Sequence, residues 1–447
     1  MSWEAPLTTR KVAHPPNQIS WGLASVPTKR KHCILALGTL VVLSVISAQP
    51  YHDTKPSTLR REWSLRMPWC CSVRAVQDVS GRTVALFDGR PPAQNKGGAN
   101  LQAPALVLWR IGDDAASSRI SLTDFVEFEK QRPPYFASDY PGGFRFVPGS
   151  HSVAGLQPPW LVLIDTSSGK EIRRQKVCAP SKEFGEPAPA NANALPRGRM
   201  ILAVNSTNGS LAVACNLDAT TLHVFDSGLV REIWSTTLPS QIRDLEWPKQ
   251  GNLLAALLSP TPKSPGEGSS SETRITVFDS VTAKEVERLS TEAADAKVTF
   301  NSNRNSLYAF CQGAATTGTA SKTAPAVLCE FEVRTGVLLR KFEVKDSGPS
   351  QNLAASPDGR LIAIRTAVPI YPPRFMEQIT TTMESGFVLL DADTGREIAR
   401  ESRKATASTH DSLPLMFTND GKLLLVGYEG DGRSNFGELV AYDVPGQ

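Results

Sequence analysis

A chain of 447 residues is long enough for one large β-domain or two to three ordinary domains, so a marginal small fold is excluded. It carries 48 basic and 44 acidic residues, but residues 1–48 hold five of the bases (Arg10, Lys11, Lys29, Arg30, Lys31) and one acid, Glu4, leaving 43 of each sign in the rest. A domain with no net charge and no basic stripe offers little to a phosphate backbone, which sets nucleic acid aside as a partner.

The front of the chain stands apart. Lys29-Arg30-Lys31 precedes an uncharged apolar run from Cys33 to Ala48, closed by the small residues Ser47-Ala48 before Gln49-Pro50. A charged stretch, an apolar core and a small-residue end form the pattern of a secretory signal. Sixteen residues fall short of the roughly 20 that a relaxed membrane-spanning helix needs, although the long leader leaves an uncleaved signal-anchor open. The expectation is therefore a leader with a signal peptide or anchor over 1–48, followed by one exported domain over 49–447. Any membrane attachment would run through residues 33–48.

From residue 59 onward a unit repeats. Apolar runs ending in an acid and followed by a turn recur, with the acids at Asp165, Asp226, Asp279, Glu332, Asp391 and Asp443. Each is preceded by a second hairpin, clearest in NLAASPDGRLIAIRT (352–366) and PLMFTNDGKLLLVGY (414–428). Asp-Gly between alternating apolar runs is a strong hairpin signal, because both central turn residues need positive φ. Seven units of four short strands are expected, starting near Val73, Gly143, Met200, Ile242, Lys297, Asn352 and Pro414. Four-stranded units repeated around an axis make an all-β, seven-bladed propeller, whose radial closure protects strand edges. The seventh unit runs out of chain before its fourth strand. The unclaimed alternating segment LRREWSL, residues 59–65, is expected to complete that blade.

Certain turns resemble a known family. Ser356-Pro357-Asp358-Gly359-Arg360 and Asn419-Asp420-Gly421-Lys422, with Asp391-Ala392-Asp393-Thr394-Gly395-Arg396-Glu397, look like the turns of divergent WD40-type or YVTN-type bacterial propeller repeats. The resemblance spans residues 59–447 and implies the fold. The Trp-Asp dipeptide is absent, and the units average about 55 residues against about 40–45 in WD40 repeats. Similar turns occur in TolB-like and quinoprotein propellers, so the repeat type stays open.

The extra length falls between second and third strands: 88–104, 259–273, 312–325 and 366–385. Long loops on one side of a repeat array commonly mark its binding face. Tyr371, Arg374, Phe375 and Tyr428 are the candidate binding-face residues. Catalytic candidates are sparse. His151, His223 and His410 are not spaced as metal ligands, the turn acids read as turn caps, and no cysteine pair forms CxxC. Among Cys70, Cys71, Cys178, Cys215, Cys311 and Cys329, the pair Cys311–Cys329 flanks one loop and is the foremost candidate for a disulfide, with buried free thiols the alternative. No metal or cofactor is expected. The sequence points to an exported, non-catalytic propeller that binds a protein or glycan. The alternative is a propeller enzyme, either a lactonase-like hydrolase or a quinoprotein-type dehydrogenase.

Overall fold

The computed structural model describes residues 58–67, 76–77, 83–88, 105–121, 144–157, 160–177, 200–215, 220–259, 273–291, 297–312, 326–345, 352–370, 382–406, 415–429 and 437–446. Within them lie seven four-stranded antiparallel sheets, and the fold is a seven-bladed β-propeller. Units 1 to 6 run from Val76 to Ser121, Phe144 to Lys176, Met200 to Thr237, Ile242 to Thr291, Val298 to Val344 and Leu353 to Thr406. Unit 7 supplies Leu415–Phe417, Leu423–Glu429 and Gly437–Asp443, and its sheet also contains Arg61–Met67. That strand begins and ends two residues later than the sequence pattern suggests. A bulge at Glu62 divides it, so Leu59 packs toward unit 6 while Leu65 packs toward unit 1.

The apolar runs are continuous because the sheets are buried on both faces. In Thr382–Asp391, the third strand of unit 6, Phe387 and Leu389 pack with Leu424, Val426 and Tyr442 of unit 7. The alternate residues Val388 and Leu390 pack with Tyr308, Phe310 and Leu328 of unit 5. All four side chains are at most 2% exposed, and each such burial contributes roughly 1.5–3 kcal/mol. One strand therefore joins three units. The first strands of successive units lie side by side and form the inner wall of the ring.

Turns of neighbouring units meet along one face. Ser206 donates to the Lys249 carbonyl at 2.9 Å, Lys249 N–H donates to Ser302 Oγ at 3.0 Å, and Asn303 donates to the Asp358 carbonyl at 2.6 Å. These contacts place the first-to-second-strand turns of units 3 to 6 together. The connections between first and second strands and between third and fourth strands, all four to seven residues long, share this short-turn face. The opposite face carries the other connections, which reach 16 residues after Asp88 and 23 after Lys176.

One correction and one agreement bear on the candidate binding loops. The expected loop at 366–385 is shorter than its pattern suggests: Leu361–Ile370 and Thr382–Asp391 pair out to Ile370↔Thr382, leaving 371–381 as the connection. Cys311 and Cys329, on the second and third strands of unit 5, form a disulfide with Cα atoms 5.7 Å apart. Cys70, Cys71 and Cys178 lie outside the described residues.

The third-to-fourth-strand turns need one residue at positive φ. Gly395 supplies it in unit 6 (φ 69°), whereas Ala283 does so in unit 4 (φ 60°). A non-glycine residue in that region costs about 1–2 kcal/mol. A Cβ at Gly395 would also fall 2.2 Å from the Phe342 ring. Ala283→Gly is thus expected to stabilise the protein by up to about 1 kcal/mol, once the greater freedom of unfolded glycine is subtracted. Gly395→Ala is expected to destabilise it by more than about 1 kcal/mol, both readable in urea unfolding.

Candidate functional site

The acids that repeat through the sequence are turn caps. Asp391 Oδ1 accepts the N–H groups of Asp393 (3.0 Å) and Thr394 (2.8 Å), and Asp279 does the same for Val281 and Thr282. Asp226 accepts the N–H groups of Val230 and Arg231 through its two oxygens. In unit 2 the Ser167 hydroxyl, with the N–H and hydroxyl of Ser168, pulls the Asp165 carboxyl down to about 2. Thr335, first through its hydroxyl, similarly lowers Glu332. Donors held in this way favour the charged form of Asp165 and Glu332.

A different set of charges gathers at the inner wall. Arg145 lies on Phe144–Val147 of unit 2, and Asp244 and Glu246 lie on Ile242–Glu246 of unit 4. Lys297 immediately precedes the first strand of unit 5, and its Nζ is 3.8 Å from Asp244 Oδ2. Lys249 follows in the first turn of unit 4. Burial lowers the Arg145 guanidinium below its ordinary value, opposed by the charges of Asp244 and Glu246, which come near it although unit 3 intervenes in sequence. Burial pushes Glu246 up to about 8, helped by the like charge of Asp244 and opposed by Lys297, Arg145 and Lys249. Burial lowers Lys249 to about 8, opposed by Glu246 and Asp358. Glu246 is half-buried by surface area, and its carboxyl sits among densely packed protein atoms. The enclosing low-dielectric volume, more than the exposed area, governs its proton.

This cluster holds a neutral carboxyl beside an ion-paired carboxylate, with three cations around them. It can hold a proton at Glu246 near neutral pH and offer both signs of charge to a polar group entering the axis. Among the described residues, no group of three or more His, Cys, Asp and Glu side chains is arranged to hold a metal ion. The sequence reading missed the cluster. Its only trace there is the presence of Arg145, Asp244 and Glu246 in FRFV and IRDLE, where the other first strands are mostly apolar.

The residues singled out from the sequence fare differently. Tyr371, Arg374, Phe375 and His410 lie outside the described residues. Tyr428 is a correction: it is 3% exposed and offers no face to solvent. It sits between units 6 and 7, with the guanidinium of Arg403 4.3 Å and that of Arg365 5.5 Å from its ring centre. Its hydroxyl is 3.0 Å from that of Tyr442, and burial raises its pKa well above the usual phenol value. Arg403 also donates to Glu438 (2.7 Å) and Tyr442 (2.9 Å), and Glu438 pairs with Arg61 of the N-terminal strand. Arg365, 2% exposed, donates to the Gly427 carbonyl and to Ser385. His223 lies within Thr221–Phe225 with Nδ1 3.0 Å from Glu232 Oε1, a structural contact between adjacent strands. His151 is exposed, and its carbonyl accepts the Thr166 N–H.

No protein-family model matches the chain, and no curated protein matches it. Among solved structures, Kuenenia stuttgartiensis hydrazine synthase is similar in fold, with a TM-score of 0.52 and 12% identity over 86% of this chain and 98% of that one. At this identity the likeness speaks to the fold alone.

Folded Glu246 keeps its proton to about pH 8, whereas the unfolded carboxyl loses it near 4.5. The folded state then binds more protons, so this group's contribution to stability is full below pH 4.5 and is lost as pH rises toward 8. Glu246→Gln is expected to remove that decline. Melting temperatures of the two proteins measured from pH 5 to 9 should shift progressively in favour of the variant, and parallel curves would refute the assignment.

Proposed function

We propose that this chain is an exported, non-catalytic propeller that holds a protein or glycan partner on its long-connection face. The observation that carries this reading is the difference between the two faces. One has uniformly short, capped turns; the other bears connections of 16 residues after Asp88, 14 after Leu258, 13 after Gln312 and 11 after Ile370. Long connections held on a rigid array are where recognition residues usually lie. The ring is fastened by the N-terminal strand. Its antiparallel register with Gly437–Asp443, together with the Arg61–Glu438 pair, supports that role. The Cys311–Cys329 disulfide fits folding outside a reducing compartment, as the apolar run 33–48 does for export.

A propeller enzyme is the second reading, and Asp244 with Glu246 at the axis is the observation in its favour. A neutral and an ionised carboxyl side by side suit general acid–base chemistry. Their neighbours Lys297, Arg145 and Lys249 instead compensate the charge from within, which suits a structural network.

Replacing residues 371–381 by a short Gly-Ser linker removes Tyr371, Arg374 and Phe375 without touching the ladder that ends at Ile370↔Thr382. Loss of binding on a glycan array and to labelled envelope proteins is expected, with the melting temperature unchanged. Full retention of binding would contradict the reading, and hydrolysis of lactone probes that Glu246→Gln abolishes would favour the enzyme. N-terminal sequencing of the cellular protein should begin at Gln49 if the leader is cleaved and at the leader itself if it anchors. Recovery from the cytosol with the leader intact would refute export.

A further inference from the structure

The charges at the inner wall are incompletely matched. Lys297 lies 3.8 Å from Asp244, whose Oδ1 also accepts the Leu245 N–H at 3.1 Å. Arg145 has no such carboxylate of its own. Among the described residues its side chain makes one hydrogen bond, from Nη1 to the carbonyl of its neighbour Phe144 at 3.1 Å. The charges it feels are those of Asp244, which already faces Lys297, and of Glu246. The Glu246 carboxyl makes no hydrogen bond or ion pair among the described residues and meets Asp244, Lys297, Arg145 and Lys249 only through their fields. A guanidinium carries five N–H donors in a planar fork, and a protonated carboxyl carries one O–H. Groups of this kind enclosed in protein are ordinarily satisfied.

The surroundings set the charge and character of what would satisfy them. Unit 3, between units 2 and 4, contributes the apolar first strand Met200–Val204. Across the ring, the middle residues of the first strands of units 6 and 7 are Ala354 and Met416, both half-buried and uncharged. Arg243, the remaining cation on Ile242–Glu246, donates to Ser259 Oγ at 2.8 Å. Lys249 feels Asp358 as well as Glu246. The Asp244 carboxylate near Arg145 opposes a second negative charge there, so a monoanion fits better than a dianion.

We infer that the inner wall binds a small monocarboxylate, with the Arg145 fork on its two oxygens, the Glu246 O–H donating to one of them, and an apolar body along Ala354 and Met416. A planar guanidinium matches a carboxylate with two parallel charge-assisted hydrogen bonds, which a lysine ammonium does not. A protonated Glu246 adds a donor beside the anion and no repelling charge. The compensation within the cluster stops short of Arg145, and the bound anion completes it. This site is separate from the long connections, so the inference goes beyond the binding-face reading and does not rest on it.

Isothermal titration calorimetry of the full chain with butyrate, butyramide and inorganic phosphate tests the site. Saturable binding of butyrate at pH 7 is expected, at least about tenfold tighter than butyramide, which lacks the charge that Arg145 would pair. Phosphate should bind more weakly than butyrate. Because Glu246 holds its proton to about 8, butyrate affinity should fall about tenfold between pH 7 and pH 9. In Glu246→Gln, whose amide donates but cannot ionise, that fall should shrink to less than about threefold. Arg145→Met should weaken butyrate at least about tenfold while keeping its melting temperature. If that variant does not fold, the ligand comparison and the pH series on the unaltered chain decide alone. No saturable binding of butyrate, equal binding of butyramide, tighter binding of phosphate, a pH-independent affinity, or a folded Arg145→Met that binds as well would each overturn the site. The 371–381 replacement should bind butyrate undiminished, so failure of the binding-face reading and failure of this one are seen separately.

Discussion

A four-stranded sheet with two apolar faces cannot cover either face by itself, and that constraint shapes everything else in the molecule. Each unit borrows its core from both neighbours, as the alternation of Phe387 and Leu389 against Val388 and Leu390 shows. A row of such units would leave two end sheets with bare apolar faces and exposed edges. A ring removes both, provided its first and last units meet. The seam is therefore where the fold is most vulnerable, and a polar network across units 6 and 7 reaches it through Arg61.

That network is built from groups that would be costly to bury alone. Arg365, Arg403, Tyr428, Tyr442 and Glu438 satisfy one another across units 6 and 7, and Arg61 extends the chain of contacts into the N-terminal strand. A similar arrangement clamps units 5 and 6. Fully buried Glu330 accepts from Ser306 at 2.6 Å and pairs with Arg340 at 2.8 Å, while Arg340 also reaches the carbonyls of Ala392 and Asp393. Buried ions left with one partner missing are strongly destabilising, so these networks enforce register between units as much as they add stability.

The repeat was legible in the sequence because turn chemistry is local. A capping acid, a glycine at positive φ and an apolar run on either side announce a hairpin without reference to the rest of the chain, and the seven expected unit starts lie within three residues of the observed first strands. What could not be read is whatever depends on closure. Arg145 and Asp244 are far apart in sequence and interact only because first strands converge on one axis. Tyr428 looked like a surface aromatic at the end of a strand, and only the neighbouring unit, through Arg365 and Arg403, makes it a core residue. The ends of the expected loop 366–385 are strand, and Pro369 is accommodated opposite Met383 in a ladder.

The central proposal is that the N-terminal strand fastens the ring and so keeps a short-turn face and a long-connection face in fixed opposition. Native-state hydrogen exchange of the amides in Arg61–Met67 tests it most directly. The account predicts that these amides exchange only with the opening that also exposes Leu423–Glu429 and Gly437–Asp443, as one cooperative unit. Exchange of 61–67 at the rate of a free peptide, while the strands of unit 7 stay protected, would contradict it.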